Sequence, residues 1–362
     1  MPLSEQDRRR RRRRQNRRGM LLLGVVILIF AAIIALVIWL ASLTIGALSE
    51  KNPAPEGTVP APTTTYPALD SAQVAPLMHM GSVLLYDVTH DRVLYEQNAD
   101  IGIYPASTTK LMTALAACRY GNPNATYTIG SEQALVEWDA SRAYLEEGNA
   151  YPLAGLLDGL LLPSGADAAY CLAANVARYH ENNSNMTDEQ AVETFVGYMN
   201  AIAAELGCVN THFVTPDGYH DAAHYTTPRD MLKIARAALK VDAIAQTVRR
   251  SESDYGDWSN GNLLVCPDEP YYYADAIGLK TGYTDEAGFC LAAAAERNGV
   301  RLIAVMFQST STEYRFIDSQ ALFEQGFALA ENPPTTATPR LFNYFDLATA
   351  ATTAPEANSP AA

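Results

Sequence analysis

The chain has 362 residues, 48% of them hydrophobic, which is enough for one large domain with a substantial core. Its formal net charge is −14, but residues 1–18 contain nine arginines and two acidic residues, so this segment carries +7 and the remainder −21. A nucleic-acid-binding protein needs a basic face on its folded part, so this distribution argues against nucleic acid as the main partner.

Residues 20–48 form an uncharged apolar run beside the arginine cluster. The run exceeds the roughly 20 residues that an α-helix needs to cross a bilayer. A cleaved signal peptide is the alternative, but its apolar core usually spans only about 7–15 residues. The sequence therefore predicts a basic cytoplasmic tail at 1–19 and an uncleaved transmembrane anchor at 20–48, with the rest of the chain on the other side of the membrane.

Composition also predicts the boundaries of the folded body. Residues 49–67 are rich in Pro and Thr and read as a linker, and residues 331–362 form a similar Thr/Ala/Pro-rich tail. The body is then 68–330. The chain has five cysteines with no metal-like spacing, and this odd number argues against a disulfide framework.

Strands are predicted at both ends of the body, with helices between them. "GSVLLYDVTHDRVLYEQNAD" predicts two strands joined by a turn at residues 90–92, and "AGFCLAAAAERNGVRLIAVMFQS" predicts a hairpin that turns at "ERNG". A closing helix, "STEYRFIDSQALFEQGFALA", follows. This order indicates an α+β fold whose sheet is completed by N- and C-terminal segments.

Four predicted helical stretches lie between the strands. The first, "STTKLMTALAACRY", ends before Gly121. The second, "PLAGLLDGLLLPSGADAAYCLAANVARYH", contains two helices separated by a break at Pro163-Ser164-Gly165. "DEQAVETFVGYMNAIAAELG" stops at Gly207. The last, "TPRDMLKIARAALK", has Thr227 as its N-cap and a proline at its first position.

Ser107 and Lys110 are three residues apart in "YPASTTKLMTA", so they share one face of the predicted helix. A serine becomes a good nucleophile when a neighbouring base takes its proton. Lysine can be that base only if its pKa falls from about 10.4 towards 7, through burial and a second nearby cation. The alternative is a capping serine followed by a surface lysine, because this pattern alone is short and common.

Two further motifs favour the catalytic interpretation. Ser164 stands at a helix break, where its hydroxyl can project into a cleft. Lys280, Thr281 and Gly282 lie in a predicted strand, where glycine is costly unless a ligand or another backbone approaches closely. Lys280 would be the second cation, and Thr281 a donor to a substrate carboxylate. S-x-x-K, a second serine motif and K-T-G in this order are typical of penicillin-binding proteins and β-lactamases.

With "LLLPSGADAA", "LGCVNTHFVTPDGYHDAAHYTTPRDM" and "GLKTGYTDEAGFC", the body resembles the low-molecular-weight penicillin-binding proteins, which are serine D-alanyl-D-alanine carboxypeptidases. The resemblance implies an antiparallel sheet flanked by helices, a mainly helical subdomain and an active site between them. Together with the predicted anchor, this resemblance indicates a single-pass protein of the bacterial cell membrane with an extracytoplasmic catalytic domain. It implies neither a metal nor an organic cofactor.

The resemblance assigns roles to eight residues. Ser107 would be the acylated nucleophile, Lys110 its general base, and Ser164 the group that relays a proton to the leaving amine. The backbone N–H groups of Ser107 and Tyr283 would form the oxyanion hole. The residues expected to bind the substrate are Lys280, Thr281, Gly282, Tyr283 and Arg315, of which Arg315 would hold the terminal carboxylate.

Ala166 departs from the family, which usually has asparagine at this place in the second serine motif. The missing amide would have contacted Lys110 and the substrate carbonyl. Asp167 follows, as it does in the family, and we interpret it as structural. The expected substrate is the peptidoglycan stem peptide, trimmed of its terminal D-alanine through an acyl-enzyme that β-lactam antibiotics would trap.

Several alternatives remain at this point. Ala166 is compatible with a non-catalytic or slow penicillin-binding sensor of the cell wall. A serine β-lactamase would need a carboxylate to activate water, for which Glu205 is the nearest candidate. "HDAAH", from His220 to His224, resembles a zinc motif but lies between turn-like segments. Tyr271, Tyr272 and Tyr273 could form an aromatic wall for the peptide or simply pack.

Overall fold

The computed structural model describes residues 79–331, which contain a five-stranded sheet. Every neighbouring pair is antiparallel, so the first two strands of the body join the last three in one sheet. Its strands are β1 (Ser82–Asp87), β2 (Arg92–Gln97), β5 (Ala276–Thr284), β6 (Gly288–Arg297) and β7 (Val300–Ser309). They lie in the order β2-β1-β7-β6-β5. A separate ribbon pairs β3 (Thr126–Thr128) with β4 (Ala150–Pro152).

Most of the described helices come between these two groups of strands, and one follows the last strand. A short 3-10 turn, Ala106–Thr109, leads directly into the first α-helix. The α-helices are α1 (Lys110–Tyr120), α2 (Leu153–Leu161), α3 (Ala166–His180), α4 (Asp188–Glu205), α5 (Pro228–Ala238), α6 (Asp242–Arg249) and α7 (Thr312–Glu331).

The sheet is buried on both faces. Successive side chains of a strand point to opposite faces, and β1 divides its residues accordingly. Val83 and Leu85 join the core beneath α7, where they share a cluster with Phe323. Leu84 and Tyr86 join the larger core on the helical side. This is why β1 reads as a continuous apolar run instead of an alternating one.

Helix α1 lies at the centre of the helical region. It is buried from Lys110 to Ala117 and packs against α3, α4 and α5. The 3-10 turn before it packs against β5. The residues at the start of α1 are therefore held between the sheet and the helical region, which places a site at this border.

The structure confirms the α+β prediction and several predicted boundaries. Helix α1 ends at Tyr120, just before Gly121. Helices α2 and α3 are separated at residues 162–165. At α5, the Thr227 side chain accepts a hydrogen bond from the Asp230 N–H at 3.1 Å, with proline at the first helical position.

Other features differ from the prediction or extend it. Arg92 is the first residue of β2, paired with Asp87, and so does not belong to the turn. Helix α6 and the β3–β4 ribbon were not predicted. All five cysteines are free, and four of them are buried.

The predicted tail at 1–19, anchor at 20–48 and linker at 49–67 lie outside the described residues, as does the C-terminal tail beyond residue 331. Between residues 79 and 331, no helix has both the length and the apolar character required to cross a membrane.

Candidate active site

Ser107 lies in the 3-10 turn at the start of α1, and its hydroxyl is 2.8 Å from the amine of Lys110. The preceding residue, Ala106, has a φ of +47°, in the left-handed region that costs a non-glycine residue about 1–3 kcal/mol. The surrounding packing must hold this conformation. It turns the backbone so that Ser107 faces a cavity while Ala106 is buried.

Lys110 is 1% exposed, and its amine has two hydrogen-bond partners, the Ser107 hydroxyl and the backbone carbonyl of Asp217, each at 2.8 Å. Burial disfavours the charged form and lowers the pKa of Lys110 to about 8, against the opposing effect of the Asp217 and Asp167 carboxylates. An amine with this pKa is available as a base near neutral pH.

Ser164 lies in the break between α2 and α3 and lines the same cavity. Its φ is +67°, and its carbonyl accepts a hydrogen bond of 2.6 Å from the Ser141 hydroxyl. Its own hydroxyl is shielded from solvent and finds no hydrogen-bond partner among the described residues. A buried hydroxyl without a partner is unusual, and it is free here to bond a ligand or pass on a proton.

The K-T-G motif lies within β5, as predicted. Lys280 is 1% exposed, and its amine donates to the carbonyl of Thr281 at 3.1 Å. Its pKa is lowered well below the usual value by burial and then by the positive charges of Lys110 and Arg315. The lowered pKa of Lys110 itself comes from burial, whereas the sequence analysis expected Lys280 to contribute to it.

Gly282 is required by a close approach between β5 and the 3-10 turn. A Cβ at this position would lie 3.0 Å from the Ser107 nitrogen and 3.1 Å from the Ala106 Cβ. The sequence predicted that a ligand or another backbone comes near, and the structure shows that the backbone before α1 does so. Tyr283, the next residue, is 50% exposed and lines the cavity.

Arg315 reaches the cavity from the first turn of α7. It is 9% exposed, and its Nη1 donates to the carbonyl of Gly282 at 3.3 Å. Its Nε finds no hydrogen-bond partner within residues 79–331. Burial lowers the pKa of Arg315 to about 10. A buried cation with an unused donor is a suitable partner for a carboxylate, which is the role that the resemblance implies.

All of these predicted site residues except Lys280 line one cavity of about 600 Å³. Arg315 makes one end of the cavity cationic, and the buried Lys280 amine donates to the carbonyl of Thr281, which is a lining residue. The rest of the wall comes from the loop between β3 and β4, the loop before α5 and the turn between β5 and β6. It includes the acidic residues Asp139, Asp285 and Glu286 and the polar side chains of Ser141, Tyr219 and His220.

Sequence reasoning missed the carbonyl of Asp217, which holds the Lys110 amine from a loop 107 residues further along the chain. A backbone carbonyl has no residue-type signature, although "VTPDGYHD" was among the segments that carried the resemblance. Ala166 is fully buried and packs beside Val136 and Tyr170.

Asp167 is structural, as interpreted. Its buried carboxylate accepts hydrogen bonds from the backbone N–H groups of Ala143 at 2.8 Å and Leu145 at 3.0 Å. It therefore holds the loop that forms one wall of the cavity, and it does not replace the missing amide.

The residues behind the alternative interpretations lie elsewhere or have other partners. Glu205 pairs with Arg119 on the surface and is not among the residues that line the cavity. Tyr271 stacks on Phe316, with ring centroids 5.3 Å apart, so it packs against α7. Tyr273 stacks in the same way on Phe323.

His220 lines the cavity, whereas His224 is buried and forms a hydrogen bond with the Thr109 hydroxyl. Within residues 79–331, no group of three or more His, Cys, Asp or Glu residues is arranged to hold a metal ion.

Comparison with known proteins identifies the family of this chain. Residues 70–311 match the profile of the D-alanyl-D-alanine carboxypeptidase family. The chain belongs to this family. A D-alanyl-D-alanine carboxypeptidase of a Streptomyces strain is 36% identical over 252 residues, which cover 65% of this chain and 83% of that protein. DacB2 of Mycobacterium tuberculosis, another D-alanyl-D-alanine carboxypeptidase, is 33% identical and is covered over 81% of its length.

The carboxypeptidase family fold is also seen in solved structures. The crystal structure of a Streptomyces DD-transpeptidase aligns with a TM-score of 0.62 at 34% identity, over 73% of this chain and all of that one. A penicillin-binding protein homologue of Mycobacterium tuberculosis aligns with a TM-score of 0.62 at 30% identity, over 74% of this chain and 98% of its own.

Proposed function

We infer that the protein is a serine D-alanyl-D-alanine carboxypeptidase that removes the terminal D-alanine from peptidoglycan stem peptides. The observation that carries this proposal is the 2.8 Å contact between the Ser107 hydroxyl and the buried Lys110 amine, in a cavity that also contains Arg315. A nucleophile, its base and a carboxylate-binding cation within one cavity are what the reaction requires.

In the acylation step, neutral Lys110 takes the proton of the Ser107 hydroxyl as the oxygen attacks the carbonyl of the penultimate D-alanine. The backbone N–H groups of Ser107 and Tyr283 would bind the resulting oxyanion. Collapse of the intermediate breaks the peptide bond, and the proton passes through the Ser164 hydroxyl to the leaving amine. Free D-alanine and an ester on Ser107 result, and Lys110 is neutral again.

Substrate binding would also prepare the base. The positive charge of Lys110 lowers the pKa of Lys280, so the two buried amines do not readily carry protons at the same time. A substrate carboxylate bound near Lys280, Thr281 and Arg315 favours a positive charge on Lys280. The same charge disfavours a proton on Lys110, which is thereby left neutral beside Ser107.

The cationic end of the cavity supports a preference for chain ends. A terminal carboxylate can satisfy the unused donor of Arg315, whereas an internal peptide bond has no negative charge to offer. The second half of the reaction is hydrolysis of the Ser107 ester by water. A β-lactam would acylate the same serine but keep its leaving group attached, so the adduct would persist.

Ala166 supports a second candidate, a cell-wall sensor that reacts with penicillin slowly and does not turn over. This site has no amide at that position, and turnover depends on substrate positioning. A β-lactamase is favoured less, because Glu205 is engaged with Arg119 and is not among the cavity-lining residues. The penicilloyl adduct of a β-lactamase would be short-lived.

We also propose that the protein is anchored in the bacterial cell membrane with its catalytic body outside the cytoplasm. The proposal rests on the apolar run at 20–48 and the arginines before it. Protease added to spheroplasts should digest the catalytic body while the cytoplasmic membrane is still intact. Protection of the body until the membrane is lysed would contradict this orientation.

The test of the proposed function is release of D-alanine from a pentapeptide, together with labelling by a fluorescent penicillin. Wild type should do both, and Ser107→Ala should do neither. Ser184→Ala, at an exposed loop position, is the matched control and should behave like wild type. Labelling without D-alanine release would favour the sensor, and labelling of Ser107→Ala would refute the assignment of the nucleophile.

A further inference from the structure

The segment from Val214 to Gly218 is attached to the start of α1 at successive points. The carbonyl of Asp217 accepts a hydrogen bond from the Lys110 amine at 2.8 Å. The carbonyl of Pro216 accepts one from the Thr113 hydroxyl. Lys110 and Thr113 are three residues apart, so both attachments lie on the same face of the helix.

Gly218 allows the segment to pack this closely. Its φ is +85°, and a Cβ there would lie 2.0 Å from the carbonyl oxygen of Ala106. Its N–H donates to the Thr215 hydroxyl at 3.2 Å, which closes a tight turn around Asp217. The segment therefore lies directly against the turn that carries Ser107.

His224 holds the beginning of this segment. Its Nδ1 lies 3.2 Å from the Val214 nitrogen and 3.3 Å from the Thr215 nitrogen, and both N–H groups donate to it. Since Nδ1 is an acceptor, the imidazole proton is on Nε2, which donates to the Thr109 hydroxyl at 2.9 Å. His224 thus links the segment to the residue that precedes Lys110.

The imidazole is suited to a permanent structural bond. It is 2% exposed and packs edge-on against the ring of Phe213, with centroids 5.4 Å apart. Burial lowers the pKa of His224 to about 4, so the ring stays neutral where the enzyme would work. A neutral ring keeps the acceptor at Nδ1 that both N–H groups need.

The contact with Asp217 matters because a neutral amine has two N–H bonds and one lone pair. When one N–H of Lys110 donates to the Asp217 carbonyl, rotation of the amine is restricted. The lone pair can then be directed at the Ser107 hydroxyl, which lies 2.8 Å away. Ala166 has no side-chain group that could provide such a bond.

We propose that His224 is a positioning residue for the general base: by holding Val214–Gly218 against α1, it fixes the Asp217 carbonyl that orients the Lys110 amine. This inference rests on the proposed function, since it assumes that Lys110 takes the proton of Ser107. It gives His224, the last residue of "HDAAH", a positioning role in place of metal binding.

The test is stopped-flow acylation by a fluorescent penicillin, resolved into the dissociation constant K of the non-covalent complex and the acylation constant k2. His224→Leu removes both sets of hydrogen bonds, and we expect k2 to fall about 10- to 100-fold while K stays close to wild type, since a small misplacement of a reacting group has effects of this size. His224→Asn keeps an acceptor near Val214 and Thr215 and should retain more of k2 than the leucine variant.

His212→Leu is the matched control, since His212 is an exposed histidine of the same region whose Nδ1 lies 2.7 Å from the carbonyl of Ala223. It should leave k2 unchanged. Melting temperature and the fraction of protein that can be acylated are measured for each variant. A lower melting temperature for His224→Leu with an unchanged k2 would show a merely structural role and overturn the proposal.

Thr113→Val removes a different attachment of the same segment, the hydrogen bond from the Thr113 hydroxyl to the Pro216 carbonyl. Because both changes act on one segment, the losses in k2 should not multiply in the double variant. Losses that multiply fully would contradict a shared mechanism. If wild type itself is not acylated at Ser107, the proposed function fails. If wild type reacts and His224→Leu has the same k2, only the positioning role fails.

Discussion

The Ser107 hydroxyl and the Lys110 amine are 2.8 Å apart, and the lysine is buried while the serine faces a cavity. This arrangement makes the reaction depend on pH. Below about pH 8 the Lys110 amine of the free enzyme gains a proton and can no longer act as a base. We expect k2/K for a fluorescent penicillin to rise from pH 6 to pH 9 with a midpoint near pH 8.

The pH profile of k2 alone should have a lower midpoint than that of k2/K. The ratio reports on the free enzyme and k2 on the complex, in which the bound carboxylate of the proposed mechanism would favour the proton on Lys280. Lys110→Gln should lower k2 by about 10²–10⁴-fold and abolish the rise. Lys240→Gln, at an exposed position, is the control. A wild-type profile that is flat between pH 6 and pH 8 would contradict Lys110 as the base.

Arg315 should determine the preference for a free carboxyl terminus. Hydrogen bonds to charged groups are worth about 1.5–3 kcal/mol, so loss of this donor should weaken discrimination about 10- to 100-fold. The measurement compares kcat/KM for a peptide ending in D-Ala-D-Ala with that for the same peptide as a C-terminal amide. Wild type should prefer the acid, and Arg315→Leu should lose most of this preference.

Arg301→Leu is the control for Arg315, because Arg301 pairs with Glu296 at the far end of the β6–β7 hairpin. It should keep the wild-type preference for the acid. An Arg315→Leu enzyme that still prefers the acid to the same extent would place carboxylate recognition on Lys280 and Thr281 alone.

Short-range features of the site could be predicted from the sequence, because they depend on residues close together in the chain. The spacing of Ser107 and Lys110, the break around Ser164 and the strand position of Lys280 are all local patterns, and the structure shows each of them. The carbonyl of Asp217 could not be predicted, since its contact with Lys110 joins distant parts of the chain through a backbone atom.

The same reasoning explains the missed elements of the fold. Helix α6 has only eight residues, and Val241 at its N-cap gives no side-chain hydrogen bond to mark its start. Its buried Ile244 and Val248 are four residues apart, which is a weak signal for so short a helix. The ribbon of β3 and β4 has three residues in each strand, too few to show an alternating pattern.

Ala166→Asn should raise the acylation rate, because the added amide offers Lys110 and the substrate carbonyl another hydrogen-bond partner. It should also lower the melting temperature, since Ala166 is fully buried beside Val136 and Tyr170 and a larger polar side chain must displace them. Ala166→Leu is matched in size and lacks the amide, so it should destabilise without accelerating acylation. Equal rates for Ala166→Asn and wild type would mean that the Asp217 carbonyl already suffices to orient the base.

Gly282→Ala should lower the acylation constant k2 more than it weakens the non-covalent binding measured by K. The added Cβ would lie 3.0 Å from the Ser107 nitrogen and 3.1 Å from the Ala106 Cβ, so β5 and the 3-10 turn must move apart. That movement separates Ser107 from the strand that would bind the substrate, and a misplacement of about 1 Å can cost on the order of 10²-fold in rate. Gly102→Ala is the matched control, because a Cβ there meets no atom within 4 Å. We expect k2 to fall for Gly282→Ala and to stay unchanged for Gly102→Ala, with both variants still folded by circular dichroism. If Gly282→Ala acylates at the wild-type rate, the close contact between the strand and the nucleophile turn does not position the reacting groups.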